Sequence, residues 1–293
     1  MSCFPQIKGE KMIKFDGTRC PACRACQPRD LKAKCQGKIG NCSELHPRKV
    51  QRELMKKIVE VLANREELID RSLGIVLSKI HSAIAERGVC TIAAAGGSTP
   101  EPLYRALSGQ DLPWDKIHVF WGDERYVPPE HPDSNQKMAR LAWLDRVNIP
   151  ASNIHPMPTG AGDPAADASA YQIELQQFFK VSDGEFPAFD IILLGIGDDA
   201  HTASLFPGTA ALQVRDALVT VGNKDGQPRI TFTVPLINRA RCVIFMVAGA
   251  SKQPALAQIF APAADEMTYP ARLVQPEGEL WWLLDAAAGS SVK

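Results

Sequence analysis

Short runs that are apolar at nearly every position are the feature that most constrains this chain. They lie at residues 89–95, 117–121, 191–194, 242–247 and 280–284. A strand with one wet face alternates apolar and polar residues. These runs do not alternate, so both of their faces are expected to be covered. The segments between them carry a helical period. Leu54, Ile58, Val61, Leu62, Ile69, Leu73, Val76, Leu77, Ile80 and Ile84 recur at three and four residues, which predicts an amphipathic helical stretch broken near Asn64 and ended by Gly88. A second helix is expected to open at Pro100, with Ser98 or Thr99 as its cap, and to run through Leu107. Others are expected at 134–144, at 165–179 and from Ser251 onward. One hairpin is expected, with 217–221 and 229–234 flanking a turn that contains Asn-Lys-Asp-Gly. Strands alternating with helices in this way predict an α/β fold: a three-layer sandwich with a mainly parallel central sheet covered by helices on both faces.

The N-terminal part reads differently. Six of the eight cysteines (Cys3, Cys20, Cys23, Cys26, Cys35, Cys42) fall within the first 42 residues, while Cys90 and Cys242 sit inside apolar runs as small buried hydrophobes. Cys20, Cys23 and Cys26 have a spacing that suits zinc or an iron–sulfur cluster. However, Asp30 stands where the iron–sulfur run wants a fourth cysteine, and Cys35 and Cys42 do not form a second zinc pair. The segment has few large apolar groups and no period. Residues 1–51 are therefore expected to be a cysteine-containing extension, disordered or non-native, and 52–293 the main domain. Lys and Arg together number 33, matched by 33 Asp and Glu. That balance argues against a nucleic-acid footprint and a polybasic membrane surface. The apolar runs are too short to span a bilayer, and the first residues lack the apolar core of a signal peptide. A cytoplasmic protein with neither nucleic acid nor membrane as partner is expected.

In sheets of this kind ligands bind beyond the carboxyl ends of the strands, and the chemistry of this chain gathers there. Gly96-Gly97-Ser98-Thr99-Pro100 follows the run at 89–95, where two glycines let backbone approach an anion and a helix start offers free N–H groups. Asp123-Glu124-Arg125 follows 117–121, and its guanidinium suits a phosphate or a developing oxyanion. The same two acids could instead cap backbone groups in a solvated turn. Gly195-Ile196-Gly197-Asp198-Asp199-Ala200-His201 follows 191–194 and delivers an acid and a histidine to the sheet edge, as a general base requires. Lys252 falls in the first turn of a helix, against the dipole, which makes sense if an anion shares the site. No pair of histidines has ligand spacing, so no metal is expected.

Together GGSTP, WGDERYVPPEHPDSN and LLGIGDDAHTASLFPGT resemble the motifs of the 6-phosphogluconolactonases, within the glucosamine-6-phosphate isomerase/deaminase superfamily, and the likeness covers about residues 52–288. Deaminases of the superfamily usually follow their histidine with Ile-Ala-Phe-Asn-Glu-Pro; this chain has Thr202-Ala203-Ser204-Leu205-Phe206-Pro207, the lactonase form. The resemblance implies hydrolysis of 6-phospho-D-glucono-1,5-lactone without a cofactor, by a monomer or homodimer. It implies His201 as the base, Asp199 supporting it and Arg125 stabilising negative charge. Gly96, Gly97, Ser98, Thr99 and Lys252 would hold the phosphate, with Asp123 and Arg272 as further substrate-binding positions. Ser204 as a nucleophile is the alternative chemistry, although it lacks the flanking glycines of a nucleophile elbow. A deaminase or isomerase, or a sugar-phosphate sensor, are the alternative functions. One departure stands out: lactonases commonly have Asp-Gly-His where this chain has Asp199-Ala200-His201. A left-handed backbone there would cost an alanine about 1 kcal/mol.

Overall fold

The computed structural model describes residues 56–292, so the extension expected at 1–51 lies outside the described residues. The chain opens with strand β1 (Lys56–Leu62) and the long helix α1 (Arg65–Arg87), joined at Asn64. The first element corrects the sequence expectation, which ran a helical period back through Leu54. In β1 the side chains alternate between two faces. Glu60 pairs with Arg71 of α1 at 2.6 Å on one face, while Lys57 lies over the Phe260 ring on the other. Both faces of this edge strand carry apolar residues, which imitates spacings of three and four, and the β-branched Ile58, Val59 and Val61 favour the extended state. The helix proper starts at Asn64, whose side chain accepts from the Glu67 N–H at 2.9 Å, and it ends at Gly88 in the left-handed conformation.

Strands β2 (Cys90–Ala94), β3 (Ile117–Trp121), β5 (Ile154–His155), β6 (Ile191–Leu194), β9 (Cys242–Val247) and β10 (Glu279–Asp285) join β1 in one seven-stranded sheet. Its order is β1-β10-β9-β6-β2-β3-β5, and every pairing in it is parallel. β2, β6 and β9 are buried at every position, as runs without alternation require. α1 covers one face, where Lys79 reaches Glu279 at 2.8 Å. On the other face α6 (Gln253–Phe260) sets Phe260 edge-on against Trp282 of β10, and α7 (Ala286–Gly289) packs over β1. The remaining helices are α2 (Glu101–Ser108), α3 (Asn135–Ala142), α4 (Pro164–Phe179) and α5 (Val234–Asn238). The result is the expected three-layer α/β sandwich. Among the described residues no helix is long and apolar enough to cross a membrane.

From β2 the chain builds outward through β3 to β5, then returns to lay β6 on the other side of β2. The order therefore reverses between β2 and β6, and the crevice at such a reversal is where an open parallel sheet binds ligands. A second, three-stranded antiparallel sheet, β4 (Asp123–Arg125), β8 (Gln227–Phe232) and β7 (Val219–Lys224), stands beside this crevice. β7 and β8 are the expected hairpin. The Asp123-Glu124-Arg125 tripeptide is not a solvated turn: it pairs with β8, Arg125 directly opposite Arg229.

Candidate active site

A cleft of about 690 Å³ opens at the carboxyl ends of β2, β3, β6 and β9. Its walls include Gly96, Gly97, Ser98, Thr99, Asp123, Arg125, Asp199, His201 and Lys252, which the structure thus brings together from the segments that follow four separate strands. Arg272 is not among them. It sits beyond α6 in the turn at Pro270–Leu273, and its Nη1 donates to the carbonyls of Gln258, Ile259 and Ala261, at 3.0, 2.6 and 2.6 Å. There it satisfies the last carbonyls of α6, as a cation at a helix C-terminus does.

The loop after β6 is tightly wound. The Gly197 N–H donates to the His201 carbonyl at 2.9 Å, the Ala200 N–H to the Gly197 carbonyl at 3.1 Å, and the Thr202 hydroxyl to the Gly195 carbonyl at 2.9 Å. This closure lays the His201 ring against Gly197, where a Cβ would lie 2.1 Å from Nδ1, so only glycine fits. Ala200 is held at φ +62° and is fully buried, so the departure from Asp-Gly-His does place an alanine in left-handed backbone. His201 is nonetheless seated: Nδ1 is hydrogen-bonded to Asp199 Oδ1, which also accepts the His201 backbone N–H at 3.1 Å, and the ring packs on Phe206 with centroids 4.5 Å apart. Burial pushes the imidazole below its usual range, against the opposing pull of the Asp199 charge. Burial would raise Asp199, but the bonds and charge of His201 and the charge of Lys224 hold its carboxyl below the usual range. A carboxylate on Nδ1 leaves Nε2 as the basic nitrogen, the orientation a general base needs.

The tripeptide at β4 divides its labour. Glu124 is buried and accepts from the backbone N–H groups of Arg125, Asn135 and Gln136 at 2.8, 2.8 and 2.7 Å, so it caps α3 rather than facing the cleft. Asp123 accepts from the Ser204 hydroxyl at 2.7 Å. Ser204 is fully buried and does not line the cleft, so the structure does not bring it to where a nucleophile would act. Arg125 donates from Nη1 to the Asp133 carbonyl at 2.6 Å, while its buried Nε has no partner among the described residues.

Sequence reasoning missed several cleft residues: Arg229 and Lys224 from the small sheet, Asn135 at the start of α3, and Asp198. Arg229 and Lys224 lie over the Phe206 ring at 5.5 and 5.7 Å from its centroid. Burial lowers the Arg229 pKa, and the like charge of Arg125 adds to that shift. Asp198 binds Lys252 Nζ at 2.7 Å, which balances a cation placed at a helix start. Asn135 donates to the Asp123 carbonyl at 2.9 Å and lies against Gly96, where a Cβ would sit 1.8 Å from its Oδ1. Only the pairing of β8 with β4 could have revealed Arg229. No local motif marks it.

The Gly-Gly-Ser-Thr loop is held from outside. The Tyr104 hydroxyl accepts the Ala95 N–H and donates to the Ala95 carbonyl, both at 2.8 Å, and Arg65 of α1 donates to the Ser98 carbonyl. Neither Ser98 nor Thr99 caps α2, whose N-cap is Pro100 without a side-chain bond. The Ser98 and Thr99 hydroxyls are thus free of a helix-capping duty.

A family model for glucosamine-6-phosphate isomerases/6-phosphogluconolactonase matches residues 63–282. The 6-phosphogluconolactonase of Nostoc sp. is 66% identical over 238 residues, which cover 81% of this chain and 99% of that protein. The one of Synechocystis sp. is 67% identical over 235 residues, 80% of this chain and 98% of the relative. Among solved structures, the 6-phosphogluconolactonase from Trypanosoma brucei superposes with a TM-score of 0.72 at 31% identity, covering 82% of this chain and 100% of the other. The one from Trypanosoma cruzi gives 0.74 at 29%, over 82% and 98%. With the family model matched over most of the chain and relatives two-thirds identical over nearly their whole length, the chain belongs to the glucosamine-6-phosphate isomerases/6-phosphogluconolactonase family and, within it, to the 6-phosphogluconolactonase enzymes.

Proposed function

We propose that this chain hydrolyses 6-phospho-D-glucono-1,5-lactone to 6-phosphogluconate, the second step of the oxidative pentose phosphate pathway, with His201 as the general base. The observation that carries the reading is the seating of His201: a carboxylate on one ring nitrogen, an apolar ring beneath, and a cleft in front. The lactone carbonyl is already reactive, so an activated water suffices and no covalent intermediate is needed. Nε2 removes a proton from water as its oxygen bonds to C1. The carbonyl electrons move onto oxygen, and collapse of that intermediate breaks the bond between C1 and the ring oxygen. The imidazolium returns its proton to the departing oxygen, and Asp199 steadies the charge meanwhile. Arg125, whose Nε lacks a partner among the described residues, stabilises the oxyanion. The Gly96–Thr99 loop, Lys252 and Arg229 hold the 6-phosphate, Lys252 exchanging Asp198 for it.

The test is lactone hydrolysis by the purified chain, with the spontaneous reaction subtracted. Turnover well above that background is expected. Ammonia release from glucosamine 6-phosphate, or binding of 6-phosphogluconate with no turnover of the lactone, would overturn the reading in favour of a deaminase or a sensor.

A further inference from the structure

The Gly96–Thr99 loop is fixed by two contacts, and the outer one comes from a residue outside the cleft wall. Arg65 is the first residue of α1, and its Nη2 donates to the Ser98 carbonyl, 33 positions further along the chain. Gly96, Gly97, Ser98 and Thr99 all line the cleft, whereas Arg65 does not. The inner contact is the Tyr104 hydroxyl, which holds both backbone groups of Ala95. Between these two clamps lies Gly97 at φ +97°, so the loop turns through backbone that glycine adopts without strain.

Arg65 stands where helix electrostatics disfavour it. A cation in the first turn opposes the dipole, while Glu66 and Glu67 beside it carry the charge the dipole prefers. Glu67 does not compensate it: that carboxylate turns back to the Ala63 N–H at 3.2 Å. Arg65 bonds to the Ser98 carbonyl instead. This contact has a consequence within the same peptide unit. In a trans peptide the C=O and the following N–H point in opposite directions, so drawing the Ser98 carbonyl toward α1 turns the Thr99 N–H away from it. The backbone N–H groups of Gly96, Gly97, Ser98 and Thr99 have no acceptor among the described residues. Successive open donors on a loop that lines a cleft suit an anion, provided that the loop keeps its conformation.

We propose that Arg65 is a positioning residue for the phosphate subsite. By holding the Ser98 carbonyl it fixes the Ser98–Thr99 peptide, so that the loop presents its N–H groups to the 6-phosphate before substrate arrives. The identity of that ligand rests on the lactonase reading. Without the clamp the peptide is free to rotate, and the phosphate must order the loop as it binds. Ordering of this kind weakens ground state and transition state alike, so it lowers affinity rather than rate.

The test follows the full chain by calorimetric titration with 6-phosphogluconate and with inorganic phosphate, and by lactone turnover. Arg65 is exposed, and alanine is well tolerated in a helix, so Arg65→Ala should fold. It should weaken both ligands by the same factor, about five- to tenfold, because the loop meets only the phosphate group they share. KM should rise by a similar factor while kcat stays within about twofold. Arg65→Lys, which keeps a donor for the carbonyl, should recover most of the loss. If the unaltered chain turns over no lactone, the lactonase reading fails, and the phosphate titration still decides the role of Arg65. Phosphate binding unchanged in Arg65→Ala, a fall in kcat at constant KM, or no recovery in Arg65→Lys would each overturn the proposal.

Discussion

The two sheets of this molecule contribute to one cleft in opposite ways. The large sheet is built from strands such as Ile191–Leu194 and Cys242–Val247, buried throughout, and offers the cleft only the loops at its carboxyl edge. The small sheet is half exposed and sends charged side chains from the strands themselves: Arg125 from β4, Lys224 from β7 and Arg229 from β8. The difference follows from solvation. A strand covered on both faces cannot carry an unpaired charge without a desolvation cost of several kcal/mol, so the large sheet serves as a rigid frame. The small sheet has a wet face and can hold cations side by side. In the proposed reaction the base comes from the frame's loop and the positive field from the small sheet.

That division is tested first by His201→Ala, which should lower kcat about 10²–10⁴-fold, the usual contribution of a general base, and leave 6-phosphogluconate binding nearly unchanged. Retention of more than half the activity would remove the reactive group from the large sheet's loops. Next come the small-sheet cations. Arg125→Ala should reduce kcat and raise KM by about ten- to a hundredfold in kcat/KM, whereas Arg229→Ala should act mainly on KM. If either arginine variant loses more than His201→Ala, the roles of the two sheets are reversed.

The third test is the pH profile. Burial lowers the His201 pKa, so the ring is neutral and active down to a pH below the ordinary histidine value of about 6.5. Activity should fall as acid protonates it, with the limb on that lower side. Asp199→Asn removes a charge that raises the same pKa, so its limb should move further down, a shift that a purely structural role for Asp199 would not produce. A limb above the usual histidine value would contradict the assignment.

Ser204→Ala should keep activity within about tenfold while costing about 1–3 kcal/mol of stability in a thermal or urea melt, because the buried Asp123 loses its hydroxyl donor. Complete loss of turnover in a folded variant would instead make Ser204 the nucleophile. The smallest effect is expected from Ala200→Gly. Relief of left-handed backbone should raise stability by up to about 1 kcal/mol with activity unchanged or improved. A clear destabilisation would mean that the Ala200 methyl group packs to more effect than its backbone strains.

The sequence was most legible where one physical rule had no competitor. Apolar runs without alternation announced covered parallel strands, and polar residues immediately after those runs announced the cleft. It misled where a local pattern had two readings. The spacing of Ile58, Val61 and Leu62 suited a helix, but these residues belong to an edge strand with apolar residues on both faces. Glu124 could be a ligand or a cap by sequence, and three backbone N–H groups decided for the cap. Arg272 was plausible as a phosphate ligand by charge, but the α6 carbonyls claimed its Nη1.

By itself, then, the sequence determined the layered fold, the loops that meet at the carboxyl edge and the His201–Asp199 pair, because each depends on residues within about ten positions of one another. Which other charges join them was decided only in three dimensions. Arg229 follows Arg125 by more than a hundred residues and reaches the cleft through a single antiparallel register. Lys252 finds Asp198 across two parallel strands. Backbone propensity and apolar period act over a few residues, whereas electrostatic partnership depends on distance in space, and only a packed chain sets that distance.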